Sequence, residues 1–214
     1  MRHAEVVVAA AALTALALSP SLSTASDPPE KSTSPTAADG HSSHWLVPQL
    51  HTAGVLLITR IGASIAWPDA FDPTEVSRNA KNFGRAWTSA PEFDTDASFF
   101  EWDHDPWALN LIGHGLLGSE IYLRHRQAHH SPWVALALVG AWSVVWEYVV
   151  EAWHKQPSGI DLLWTPLGGL ALGEGRYQVY CLVRTMPPSA GRRVLLYLLD
   201  PLGQLERDLF DLHY

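Results

Sequence analysis

An all-α fold, a compact bundle of about five to seven helices, is predicted by three observations. No apolar stretch keeps the period-two alternation of a half-buried strand. One punctuation mark recurs instead. Asp72-Pro73, Asp105-Pro106, Ser131-Pro132, Thr165-Pro166 and Asp200-Pro201 each put an N-cap residue before a proline suited to the first helical position. Two capping-box variants agree with it, Asp72 with Glu75 and Ser158 with Asp161.

The elements follow in order. Residues 1–25 read as a secretory signal: Arg2 and His3 start it, an apolar run from Val6 to Leu18 follows, and Ser23-Thr24-Ala25 offers a cleavage site. Residues 26–44 are rich in Pro, Ser and Thr and read as a disordered tether. Residues 45–214 then form one helical domain. Its helices are expected at 46–66, 73–84, 106–126, 132–155, 159–164 running into 166–183, 190–199 and 201–212. Between the second and third lies a long acidic connection, 86–105.

Composition narrows the class. The net charge of −8 argues against nucleic-acid binding. A single cysteine, Cys181, permits no internal disulfide, and export without disulfides fits a protein of the bacterial cell envelope, in periplasm or membrane. Ten tryptophans and a charged fraction of only 17% point towards lipid as a partner. Trp133 and Trp153 end one apolar helix as an aromatic belt would, and glycines cluster at 113, 115 and 118 and at 168, 169 and 173, as in close-packed membrane helices. The expectation is a membrane-embedded bundle; its rival is a helical domain lying on a membrane. By the positive-inside rule Arg124-His125-Arg126 reads as a cytoplasmic loop and the acidic 92–105 segment as external. Helix 46–66, with Arg60 in it, then cannot be a simple span.

The chemistry concentrates on two helices. Ser143, Glu147, Glu151 and His154 form one stripe at spacings of four, four and three. Like charges at that spacing repel, so burial requires a shared proton or a cation between them. In the alternative, arginine or backbone partners hold them and they only fix helix packing. On the preceding helix Asn110, His114 and Gly118 form a matching stripe, and the short loop between the two predicts an antiparallel hairpin. Asn110, His114, Glu147 and Glu151 then face one another. Asp161 either joins them or only completes its capping box. Glu174 lies late in its helix, where a carboxylate opposes the dipole, so it needs a partner such as Arg176 or Arg60. Glu151-x-x-His154 has the spacing of a di-iron ligand pair, but the match is weak, because such a site draws its remaining glutamates and a second pair from other helices. The acidic 94–105 run lacks calcium-loop spacing.

The order of these motifs resembles a known family. "WDHDPWALNLIGHGLLGS" (102–119), "WEYVVE" (146–151), "PSGIDLLWTPLGGLALGE" (157–174) and "DPLGQLER" (200–207) resemble bacterial exported envelope proteins catalogued only as a domain of unknown function. The resemblance covers about residues 45–207 and singles out Asp103, Asp105, Asn110, His114, Glu147, Glu151, Asp161 and Glu174, not His154. The chain departs from the pattern with Gly115 where a proline is expected, and with Thr59-Arg60 in place of Asn-Arg. A fainter likeness is to VanZ-like membrane proteins.

Two functions follow as expectations. One is a structural or lipid-interacting envelope protein whose polar cluster, His114, Glu147, Glu151 and Asp161 with Asn110 orienting, locks the bundle. The other is a membrane hydrolase acting on a lipid or cell-wall precursor, with Glu147 or Glu151 as general base or binding a divalent metal with His114. Asp103, Asp105, Glu174 and Arg60 are supporting candidates in both.

Overall fold

The computed structural model describes residues 37–210 other than 69–71 and 73, with side chains described from Trp45 onward. The signal expected over 1–25 and the first part of the tether lie outside the described residues. Within them every regular element is a helix; an isolated parallel bridge, Glu92 to Ser158, is the single ladder pair. The all-α expectation holds.

Helix α1 runs Ala37–Ala66, so it takes in the last residues of the segment read as a tether. Helix α2 is Val76–Ala86 and starts later than expected. The reason is local. The Asp72 carboxylate accepts from the Thr74 N–H at 2.8 Å and its hydroxyl at 2.7 Å, closing an Asx turn instead of capping a helix.

The next two helices are each composite. A π-helical segment, Leu109–His114, leads into α3, Gly115–Gln127. Helix α4, Pro132–Val145, is capped by the Ser131 hydroxyl and passes into a second π-helical segment, Trp146–Glu151. Helix α5 runs Gly159–Arg184 from its Ser158 cap and continues through Pro166. Thr165-Pro166 therefore opens no new helix. Helix α6, Ala190–Leu199, starts on Ser189, and α7, Pro201–Phe210, starts on Asp200, whose Oδ1 accepts from the Gly203 N–H at 3.0 Å.

Helix α3 is the axis of the bundle. Ten of its 13 residues are buried, and it packs against α5, then α4, with α1 alongside. The α3–α5 crossing is a backbone contact: a Cβ added at Gly118 would stand 2.0 Å from the Thr165 carbonyl oxygen. Ile121, Tyr122, Ala135 and Val139 form a small apolar core around it.

One expectation is overturned here. Arg124-His125-Arg126 is the last turn of α3, not a loop, and Arg124 and His125 are fully buried. The positive-inside argument therefore has no loop to act on at this point.

Polar side chains share the interior with the apolar core, and several large apolar ones lie outside it. Arg124, His125, Asn110, Glu147, Asp161 and Asp200 are enclosed. Large apolar side chains face outward instead: Leu57, Ile58 and Ile65 on α1, Trp133 and Val144 on α4, Leu167 and Leu182 on α5, Leu198 on α6. One helix among the described residues, Pro132–Glu151, is long and apolar enough to cross a membrane.

Candidate functional site

The two π-helical segments each supply a side chain to the centre of the site, His114 from one and Glu147 from the other. A π turn holds more residues than an α turn, so it redirects side chains that α spacing would stack, and such turns recur at functional sites. The Glu147–Glu151–His154 stripe is split in this way. Glu147 turns inward, and its Oε2 accepts from the Ser158 N–H at 2.7 Å. Glu151 Oε2 accepts from the Trp146 indole N–H at 3.0 Å, with Oε1 3.8 Å from Lys155 Nζ. His154 leaves the interior and meets the Arg60 guanidinium.

The contact of Glu147 with Ser158 changes the role of Asp161. In a full capping box the third residue's carboxylate would return to the cap N–H. Here Ser158 Oγ accepts from the Asp161 N–H at 3.1 Å, but Glu147 from another helix takes the return bond. The Asp161 carboxylate is thereby released to face His114, with Nε2 to Oδ2 at 3.4 Å. The other imidazole nitrogen, Nδ1, stands 3.1 Å from the Thr165 hydroxyl. Candidate ligand atoms of His114, Glu147 and Asp161 all lie within 4.8 Å of one another, and all three residues are buried.

A second layer adjoins it, buried at Asn110 and Asp103 and half-buried at Asp105 and Lys155. The Asn110 amide donates to Asp103 Oδ1 at 2.6 Å and to the Phe100 carbonyl at 3.0 Å. Lys155 Nζ reaches Asp105 at 2.5 Å and Asp103 at 3.3 Å. The strand-like strap around Glu92 pins this layer down: the Glu92 N–H donates to the Pro157 carbonyl at 2.8 Å and its carbonyl accepts from the Gly159 N–H at 2.9 Å. A polar hollow of about 250 Å³, lined by Asn82, Arg85, Glu92, His154, Lys155 and Gln156, opens beside it.

Asp103 shows the electrostatics of this outer layer. Burial alone would raise its pKa, but the Lys155 ammonium, helped by bonds from Ser158 and Asn110, holds it down to about 2. A carboxylate depressed in the folded state stabilises the fold above its unfolded value near 3.9 and loses that contribution as pH falls towards the folded one. The contribution is on the order of 2 kcal/mol, present above about pH 4 and gone by about pH 2. Asp103→Asn is expected to flatten the acid limb of stability measured by denaturant unfolding across that window. An unchanged acid limb would remove Asp103 as its source.

The structure thus brings together His114, Glu147 and Asp161, sets Glu151 beside them, and places Asn110, Asp103 and Asp105 in the outer layer. Glu174 and Arg60 are elsewhere. Glu174 does have partners, but neither Arg176 nor Arg60 is among them: Arg126 Nε donates to it at 2.9 Å and the Tyr122 hydroxyl at 2.9 Å. Arg176 serves Glu120 and the Leu199 carbonyl instead. Sequence reasoning missed Lys155 and Thr165. Both were within reach, since Lys155 is four residues after Glu151 and Thr165 four after Asp161.

It also missed a second buried network at the other end of α3. Arg124 meets Asp200 Oδ1 at 3.2 Å and the Gln127 amide oxygen at 2.9 Å, and the Gln127 amide donates to Asp200 Oδ2 at 2.8 Å. His51 Nδ1 stands 2.5 Å from Glu206 and its Nε2 3.3 Å from Glu120. Four helices, α1, α3, α5 and α7, are tied together there.

Residues 99–202 match the family described as Domain of unknown function (DUF3943). The matched segment holds the whole of the His114, Glu147, Glu151 and Asp161 arrangement, together with Asn110, Asp103 and Asp105. The resemblance to a domain of unknown function is thus borne out over those residues. No curated protein and no solved structure matches the chain.

Proposed function

We propose that the protein is an exported envelope protein that works in contact with membrane lipid, its polar interior locking a helical bundle whose outer surface is apolar. The observation that carries this reading is the surface of Pro132–Glu151. It is 20 residues long, about 30 Å at the usual helical rise, the thickness of a bilayer's hydrocarbon. Only 28% of its most apolar window is buried inside the protein. A soluble core helix of that composition would be covered. Trp133 and Trp153, 76% and 41% exposed, mark its two ends where a lipid interface would hold amphipathic rings.

Val144 tests this. It is exposed near the middle of the helix. On a water-facing surface Val144→Lys would change stability by no more than about 0.5 kcal/mol. Against lipid it is expected to cost roughly 2.5–3.5 kcal/mol and to cut membrane accumulation. The parent chain should also float with vesicles and resist alkaline carbonate. A chain that stays monodisperse in detergent-free buffer, with Val144→Lys neutral, would sink the proposal.

A second reading is favoured by one feature, the polar hollow that reaches Lys155 at the edge of the buried cluster. In that reading the protein is a hydrolase acting on a lipid or cell-wall precursor, with the hollow as the approach and Glu147 as the base. Glu147→Gln separates the two. A hydrolase loses turnover with its melting unchanged, whereas a structural lock changes its melting.

A further inference from the structure

We infer that His114, Glu147 and Asp161 form a binding site for one divalent transition-metal ion, zinc or manganese. The first support is a surplus of acceptors. Glu147 Oε1, both oxygens of Asp161 and Asn110 Oδ1 are buried and accept no hydrogen bond of good geometry. Glu147 and Asp161 are wholly enclosed. The Ser158 hydroxyl lies beside both Asp103 and Asp161 but has one proton to give, too few for three oxygens. Every orphaned atom at this end of the bundle is an acceptor. A buried carboxylate oxygen without a donor is costly, and a cation is the species that satisfies several at once.

Charge agrees. Asp103, Asp105, Glu147, Glu151 and Asp161 gather here, and Lys155 is spent on Asp103 and Asp105 at the outer edge, 3.8 Å from the nearer oxygen of Glu151. Among the described residues the inner pair, Glu147 and Asp161, makes no ion pair with a lysine or arginine of its own.

Geometry agrees as well. Two ligands of a tetrahedral ion bound at ~2.0–2.1 Å stand about 3.3 Å apart. The His114 Nε2 to Asp161 Oδ2 separation is 3.4 Å, and the widest of the three stays within 4.8 Å, so side-chain rotation of well under an ångström to one shared ion suffices. Thr165 supplies what a metal-bound imidazole needs, a partner for its other nitrogen: its hydroxyl stands 3.1 Å from Nδ1, so the tautomer protonated at Nδ1 donates to it and leaves Nε2 to ligate. One imidazole with two carboxylates suits zinc or manganese better than magnesium or calcium, which prefer oxygen alone. Three protein ligands also leave a position for water, as in catalytic rather than structural zinc sites.

The test uses the full chain in detergent, stripped by a chelator and then titrated with Zn²⁺ or Mn²⁺, bound metal being counted by elemental analysis. The expected result is about one ion per chain and a rise in Tm, both lost in Asp161→Asn and in His114→Ala. Thr165→Val keeps all three ligands and covers the case in which those variants fail to fold. It is expected to bind roughly 10–100-fold more weakly, with the affinity read only on chains whose circular dichroism and cooperative melting show them folded. The rival explanation, carboxylates sharing protons, predicts the opposite sign: Glu147→Gln and Asp161→Asn melt at or above the parent and no ion is taken up. That result overturns the assignment, as does uptake that persists in all the variants.

Discussion

Replacing Arg124 with alanine is expected to remove a large share of the stability of the bundle. Its guanidinium is completely enclosed, so the substitution does not expose a charge to water but strands its partners. Asp200 would lose a contact at 3.2 Å and Gln127 one at 2.9 Å, inside a region with no solvent to replace them. Removing one partner of a buried pair costs about 3–5 kcal/mol, against a total of about 5–15 for a domain. Lysine is expected to rescue little. The planar fork reaches Gln127 and Asp200 from separate nitrogens, which a single ammonium cannot do from one position. The effect should also be local, because Asp200 caps α7 and Glu206 and Arg207 lie on that helix. Hydrogen exchange over Pro201–Phe210 should rise first. The double change Arg124→Met with Asp200→Asn is expected to lose less than Arg124→Ala alone, since it removes the wholly buried carboxylate together with the guanidinium while the amide oxygen still caps. Arg207, the other partner of Asp200, loses that carboxylate contact in the double variant. A double variant as unstable as the sum of its parts would show that the network contributes through packing instead.

The second large effect is expected from Gly118→Ala, a single added carbon. That carbon would lie 2.0 Å from the Thr165 carbonyl oxygen, which is backbone and cannot rotate away. The contact is mutual, since a Cβ at Gly169 would stand 2.8 Å from the backbone of Gly118. Helices α3 and α5 must therefore separate, at a cost of roughly 1–3 kcal/mol or more. Separation also carries Thr165 away from His114, so the inner cluster should loosen together with the helix crossing. Gly140→Ala is the control. It lies within α4 with nothing inside 4 Å of the added carbon. Helix propensity then predicts a gain of up to about 1 kcal/mol. If both alanines behave alike, the crossing is not the close backbone contact described above.

Much of the local structure was legible because its causes are local. Ser131, Ser158 and Asp200 each cap the helix that follows them. Pro166 misled: it stands inside α5, which continues through it although an interior proline costs a helix a hydrogen bond. The Asp72 turn misled as well: two residues on, Thr74 offers two donors to the carboxylate, and a turn satisfies them sooner than a helix would.

The site was legible as a set of residues but not as an arrangement. Burying carboxylates and an imidazole on apolar helices is costly wherever it occurs, so the spacing of His114, Glu147 and Glu151 on such helices made them stand out, while Asp161 read as a capping-box residue that the family resemblance also marked. Which of them meet depends on two π-helical turns, and on Glu147 displacing Asp161 from its own capping box. Neither has a signature in one sequence, because each arises when a packed neighbour outcompetes the local hydrogen bond. The same holds for Arg124, which reads as a loop charge until the chain returns 76 residues later to place Asp200 against it. Helical character, most of the helix starts and the side chains that are expensive to bury can all be read from the residues, because their causes lie within a few positions of one another. The tertiary structure alone decided which of those side chains share an enclosure, because contact between distant residues is set by helix packing and not by spacing along the chain.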